Sequence, residues 1–145
     1  MFRKRPKARK LEHISEIEEL AMTGKPVLID FYQVGCAPCQ VMDGIFNELA
    51  REYGDSAHVV KADIGRLPGI AQQFQIRSTP TMVLLTTAPP KKAKKSKKGN
   101  QAKNRQAATQ SNQRRVTLRW RASGLVKKDQ LTRLLESNGA TRVDA

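Results

Sequence analysis

Only two cysteines, two histidines and one tryptophan occur among the 145 residues. So few donors leave little room for metal chemistry: a structural zinc takes about four ligands. His13 and His58 are not spaced as a ligand pair, and neither a metal nor any other cofactor is expected. No apolar run approaches the roughly 18 residues that cross a bilayer, and the first residues lack the apolar stretch of a secretory signal. The expectation is therefore a cytoplasmic chain without a transmembrane segment. Acidic residues are missing altogether from two stretches. Residues 1–10 hold Arg3, Lys4, Arg5, Lys7, Arg9 and Lys10, and residues 88–115 hold ten Lys and Arg. Of the net charge of +14, these two stretches supply +6 and +10, which leaves −2 on everything else.

That division sets the domain organisation. A nearly neutral domain over residues 11–87 and 116–139 carries a basic arm at 1–10, a lysine-rich insert at 88–115 and a short tail at 140–145. The apolar side chains of the insert are alanines and prolines alone, too little to offset the entropy of ordering it, so it is expected to be disordered. One domain of this length can bury a substantial core.

The chain is organised around the stretch from Val27 to Cys39. Val27-Leu28-Ile29-Asp30-Phe31-Tyr32 follows Pro26 and reads as a central strand. Past the cysteines the period changes: Met42, Ile45, Phe46, Leu49 and Tyr53 recur at helical spacing, and Gly54 closes the pattern as a C-cap. Cys36 and Cys39 thus fall where a core strand becomes a helix. Cysteines three apart on a first turn lie on one face, roughly 5–6 Å apart at Cβ, within adjustment of a disulfide. The amides and dipole of the helix N-terminus favour the thiolate of Cys36, the more exposed sulfur, making it the candidate nucleophile. Pro38 is tolerated in a first turn and stiffens the loop, while Gly35 leaves the sulfur open to a bulky substrate. A purely structural bridge or two unrelated buried thiols are the competing readings, and a bridge across two residues closes too short a loop to restrain the unfolded chain much.

The remaining segments complete an α/β pattern. Ser15 and Glu18 have capping-box spacing ahead of a short helix lined by Ile14, Ile17, Leu20 and Ala21, ended by Gly24 and Pro26. Residues 58–63 read as a second strand, parallel to the first because a helix-length crossover separates them. The thiols then stand at the carboxyl edge of a βαβ unit, where open α/β sheets place their sites. A short helix is expected at about 68–74 and a strand from Thr81 to Thr86. Val116, Leu118, Trp120 and Ala122 alternate with Thr117, Arg119 and Arg121, which predicts an edge strand with one half-buried face and one basic face. Leu131, Leu134 and Leu135 mark a last helix ending near Gly139.

Asp30-Phe31-Tyr32 ahead of Cys36-Ala37-Pro38-Cys39, then Lys61, then Thr79-Pro80-Thr81, resembles the thioredoxin family over residues 14–87 and 116–138. The resemblance implies a mixed central sheet flanked by helices, with the basic insert inside the last hairpin. It implies a cis Pro80 facing the dithiol and a substrate groove formed by Gly35, Ala37, Pro38, Thr79, Pro80 and Gly124. Asp30 would be the buried acid behind the cysteines, its pKa raised by burial so that it accepts the Cys39 proton, with Lys61 nearby opposing that rise. From the residues alone, Asp30 as a solvated strand end and Lys61 as a surface lysine with its head in water stay open. The usual Trp-Cys-Gly-Pro-Cys of the family is here Gly35-Cys36-Ala37-Pro38-Cys39, which alters the docking surface beside the nucleophile.

The function so implied is a protein-disulfide reductase acting through Cys36 and Cys39. Its partners would be client proteins with disulfides and a thioredoxin reductase-type electron donor, and the chain would act as a monomer. The alternative is a binding or adaptor module. Lysine runs without interleaved aromatics hold phosphate backbones by charge alone, so Lys91, Lys92, Lys94, Lys95, Lys97 and Lys98 could carry non-specific contact with nucleic acid or another acidic surface.

Overall fold

The computed structural model describes residues 7–88 and 115–143. Five strands form one mixed sheet in the order β1-β3-β2-β4-β5. In chain order the elements are β1 (Arg9–Lys10), α1 (Ser15–Ala21), β2 (Val27–Tyr32), α2 (Ala37–Tyr53), β3 (His58–Asp63), α3 (Ile70–Gln73), β4 (Thr81–Ala88), β5 (Arg115–Ser123) and α4 (Lys128–Ser137). Strands β1 and β2 run parallel to β3, whereas β4 is antiparallel to both β2 and β5.

Strand β2 is central and buried on both faces, which is why it reads as an unbroken apolar run rather than an alternation. Its even-numbered residues face one core, where Leu28 meets Met42, Phe46, Leu49 and Tyr53 of α2 and Leu131 and Leu135 of α4. Its odd-numbered residues face a second core, where Ile29 and Phe31 pack with Ile17 and Ala21 of α1 and Ile70 of α3. Asp30 belongs to the first face and points under α2. Helix α2 ends at Gly54, where a Cβ would run into the Ala50 carbonyl. Gly54→Ala is expected to cost about 1–3 kcal/mol, seen as a lower urea midpoint at unchanged m-value.

Several local expectations are corrected. The last residues of the basic arm are structural: Arg9 and Lys10 pair with Val60 and Lys61, and Ala8 and Leu11 are buried. No side chain caps α1 from the Ser15 and Glu18 positions; Glu16 instead accepts the N–H groups of Glu12 and His13 at 2.6 and 2.8 Å and pairs with Arg9. The short helix α3 spans only Ile70–Gln73, after a left-handed Gly69. The hairpin strands run further than expected, with Ala88 opposite Arg115. The central part of the lysine-rich insert, including Lys91 to Lys98, lies outside the described residues. In the tail Ala140 is buried, and the Val143 N–H donates to the Glu52 carbonyl at the end of α2.

Strand β5 departs most from its pattern. It is the sheet edge, as expected, but Leu84 pairs with Trp120 and Leu85 with Leu118, so Arg119 has no partner and the register slips by one. One extra residue turns every side chain before it to the opposite face. Trp120 and Ala122 therefore reach the α2 core, while Val116 and Leu118 face the α1 side and line a groove with Ile14, Ile17 and Leu85. The apolar stripe read as one face is divided between two.

Candidate redox site

Cys36 is the N-cap residue of α2, in extended conformation, with Pro38 in the first turn. The two cysteines are bridged, their Cα atoms 5.2 Å apart. The Cys39 N–H donates to the Cys36 Sγ at 3.3 Å, so the nearer sulfur takes up one of the amides that a helix N-terminus leaves free. The same donor and the helix dipole stabilise a thiolate at Cys36 once the bridge is reduced. Cys36 is half-buried. Cys39 is 4% exposed and continues the Met42, Phe46, Leu49 stripe of α2, directly over the sheet.

Across from the sulfurs stands a loop with a cis Thr79–Pro80 peptide. The Cys36 Sγ lies 3.7 Å from both the Thr79 carbonyl oxygen and its hydroxyl, and that hydroxyl is 3.2 Å from the Gln33 Oε1. Neighbouring residues fix the loop: the Thr81 hydroxyl donates to the Ser78 carbonyl at 2.7 Å, and the Gly124 N–H donates to the Pro80 carbonyl at 2.8 Å. Gly124 has φ +87 and open space where a Cβ would stand, so the backbone beside Pro80 is bare. Gly35 has φ +86 and is equally open, a conformation side chains rarely adopt. With Ala37 and Pro38 exposed, the mouth of the site is low and accessible. The structure brings Thr79 to Cys36 and Gly124 to Pro80, and sets Gly35, Ala37 and Pro38 beside the two cysteines. Trp120 is elsewhere, packed against the α2 core.

On the face of β2 that α2 covers, Asp30 is 1% exposed, which removes the solvated strand end as a reading. Neither of its carboxylate oxygens has a hydrogen-bond partner. Burial pushes its pKa up to about 7; the negative charge of Asp43 adds to the rise and Lys61 opposes it. Lys61 is opposite Asp30 in the β2–β3 register and is 4% exposed, so it is no surface lysine. Its ammonium pairs with Asp43 of α2 and donates to the Asn47 Oδ1 at 3.3 Å, leaving Asp30 without a bond. Asp43 and Asn47 were not anticipated. A signal existed, because Asp43 sits one turn beyond Cys39, on the side of α2 that the helical period turns toward the sheet. A cleft of about 240 Å³ lined by Tyr32, Gln33, Val34, Gly35, Cys36, Cys39, Gln40 and Asp43 opens beside the dithiol. Among the described residues no group of three His, Cys, Asp and Glu side chains could hold a metal ion.

The sequence profile described as Thioredoxin matches residues 9–111. The chain belongs to the thioredoxin family. It is 44% identical over 73 residues to a thioredoxin-like protein of Synechocystis sp., covering 50% of this chain and 70% of that one. It is 38% identical over 86 residues to the chloroplastic thioredoxin Y of Oryza sativa, covering 59% of this chain and about half (51%) of the relative. Among solved structures it resembles the thioredoxin of Malassezia sympodialis at TM-score 0.64 and 18% identity, covering 95% and 96% of the two chains, a likeness of fold. Within this thioredoxin fold, a cysteine pair at bridging distance on the cap and first turn of α2 is the arrangement of a thiol–disulfide oxidoreductase.

Proposed function

We propose that this member of the thioredoxin family reduces disulfides in other proteins. The observation that carries the reading is the division of labour between two sulfurs: Cys36 at the helix tip beside an open cleft, and Cys39 buried behind it on the helix that covers the Asp30 face of β2. The Cys36 thiolate attacks one sulfur of a client disulfide; a new S–S bond forms and the other client sulfur leaves as a thiolate. The Cys39 thiol then gives its proton to Asp30, and its thiolate attacks the Cys36 sulfur. The Cys36–Cys39 bridge forms, the second client thiolate departs, and two electrons have passed to the client. Thr79 and Gly124 offer bare backbone beside Pro80 to an extended client segment. A thioredoxin reductase-type donor, as the family implies, reduces the bridge again.

The reduction potential of the pair tests the direction of flux. A value near the roughly −270 mV of thioredoxin supports a reductase, whereas one near about −120 mV would make the protein an oxidant. The adaptor reading depends on Lys91 to Lys98, outside the described residues, and no observation here favours it. Eight residues of β4 at about 3.3 Å each place Ala88 roughly 25 Å from the end of that strand beside the dithiol. Deleting residues 89–114 in favour of a short turn is therefore expected to leave reduction of a protein disulfide within about twofold, checked by DTT-driven turnover.

A further inference from the structure

Strand register sets Lys61 beside Asp30, the position from which a buried ammonium would ordinarily bond a buried carboxylate. It does not bond it. Both contacts of the Lys61 ammonium go to α2, to Asp43 and to Asn47, and both Asp30 oxygens stay unpartnered. Asn47 is itself held in place: its Oδ1 accepts the Ala8 N–H at 3.0 Å and its Nδ2 donates to the Asp43 Oδ2 at 3.4 Å. The side chain of Asp43 is 50% exposed and lines the cleft shared with Cys36 and Cys39, while that of Lys61 is 4% exposed. An anion with one side in water thus holds the cation of a site whose other anion is sealed in.

We propose that Asp43 is a positioning residue for the dithiol reaction: by keeping the Lys61 ammonium on α2, it leaves Asp30 unpaired and able to take the Cys39 proton. The proposal rests on the reading of Asp30 as the Cys39 proton acceptor. Two effects act in the same direction. Asp43 withdraws the counter-ion that would favour the Asp30 carboxylate, and its own charge repels that carboxylate. The balance at Asp30, with burial and Asp43 raising its pKa and Lys61 lowering it, agrees with this geometry. The other titratable or charged groups on this face are Lys10 of β1, opposite Lys61 in the register, Tyr32 of β2, Asp63 of β3 and Cys39 of α2, with Arg66 beyond β3 close to Tyr32 and Asp63. Strand β4 presents Met82, α4 presents Leu131 and Leu135, and β5 presents Trp120, so no further charge comes from those elements.

The test is a titration of the Asp30 carboxyl carbon by NMR in the oxidised full chain, which needs no client. Asp43→Asn is expected to move the Asp30 midpoint down by about one pH unit or more, because Lys61 becomes free to pair with it. Asp43→Glu, which keeps an anion within reach of Lys61, is expected to restore most of the original midpoint. In a Lys61→Met background the effect of Asp43→Asn should shrink to less than about half, since there is no ammonium left to redirect. An unmoved midpoint in Asp43→Asn, or an equal shift with and without Lys61, overturns the proposal. Failure of the underlying reading looks different: client reduction would then be indifferent to substitution of Asp30, whatever its midpoint does.

Discussion

Cys36→Ser is expected to lower the rate of protein-disulfide reduction by at least about a thousandfold, to the background of the reductant alone. A serine hydroxyl does not form the anion that a thiol at this helix terminus does, and it forms no mixed disulfide, so no part of the cycle survives. Cys39→Ser should fail differently. Its Cys36 still attacks, and the client remains attached as a mixed disulfide that can be isolated under non-reducing conditions, one per protein molecule. The pair of variants separates the two sulfurs by what accumulates and not merely by lost turnover. If Cys39→Ser cycles normally, or if Cys36→Ser captures client and Cys39→Ser does not, the assigned roles are wrong. The assignment follows from burial: a sulfur 4% exposed beneath α2 has no approach to a protein disulfide, whereas the cap sulfur is half-buried beside exposed Gly35 and within 3.7 Å of the Thr79 carbonyl.

Much of this site was legible because its elements obey strong periodic rules. Strand β2, buried on both faces, had to be a continuous apolar run, and the helical spacing from Met42 to Tyr53, closed by Gly54, located the end of α2. The parallel β3 followed from the length of the crossover. What stayed hidden depends on relations that no local pattern encodes. Arg9 and Lys10 form a strand because the β3 edge offers them backbone partners, not because their side chains alternate. The slip at Arg119 leaves the apolar alternation of β5 intact along the chain while dividing it between two cores. Asp43 appears in the sequence as an ordinary helix carboxylate, and its claim on Lys61 arises only when α2 lies over β3.

The same burial that suits Asp30 to its role predicts a penalty in stability, and Asp30→Leu is expected to expose it. A carboxyl whose pKa goes from 3.8 in the unfolded chain to about 7 in the folded one binds its proton more tightly when folded. Its contribution is therefore fully present below about pH 4, declines as the pH rises, and is lost on passing through about 7, where folding carries a charge into the core. Three units at about 1.36 kcal/mol each amount to about 4 kcal/mol across that window. Urea unfolding of the oxidised protein at fixed steps between pH 4 and 8 should show wild-type stability falling relative to Asp30→Leu by that order, most of it between pH 4 and 7. Leucine also adds apolar burial, which offsets the two curves by a constant amount without changing their divergence. The gain in stability should coincide with a loss in chemistry, since Cys39 would have no neighbouring base. Release of the mixed disulfide at pH 7 is expected to slow by about a hundredfold, and raising the pH should recover much of the rate as solvent takes over removal of the Cys39 proton. Parallel stability curves for wild type and Asp30→Leu would show that the carboxyl is not held neutral by the fold. A mixed disulfide released at the wild-type rate would show that the Cys39 proton leaves by another route.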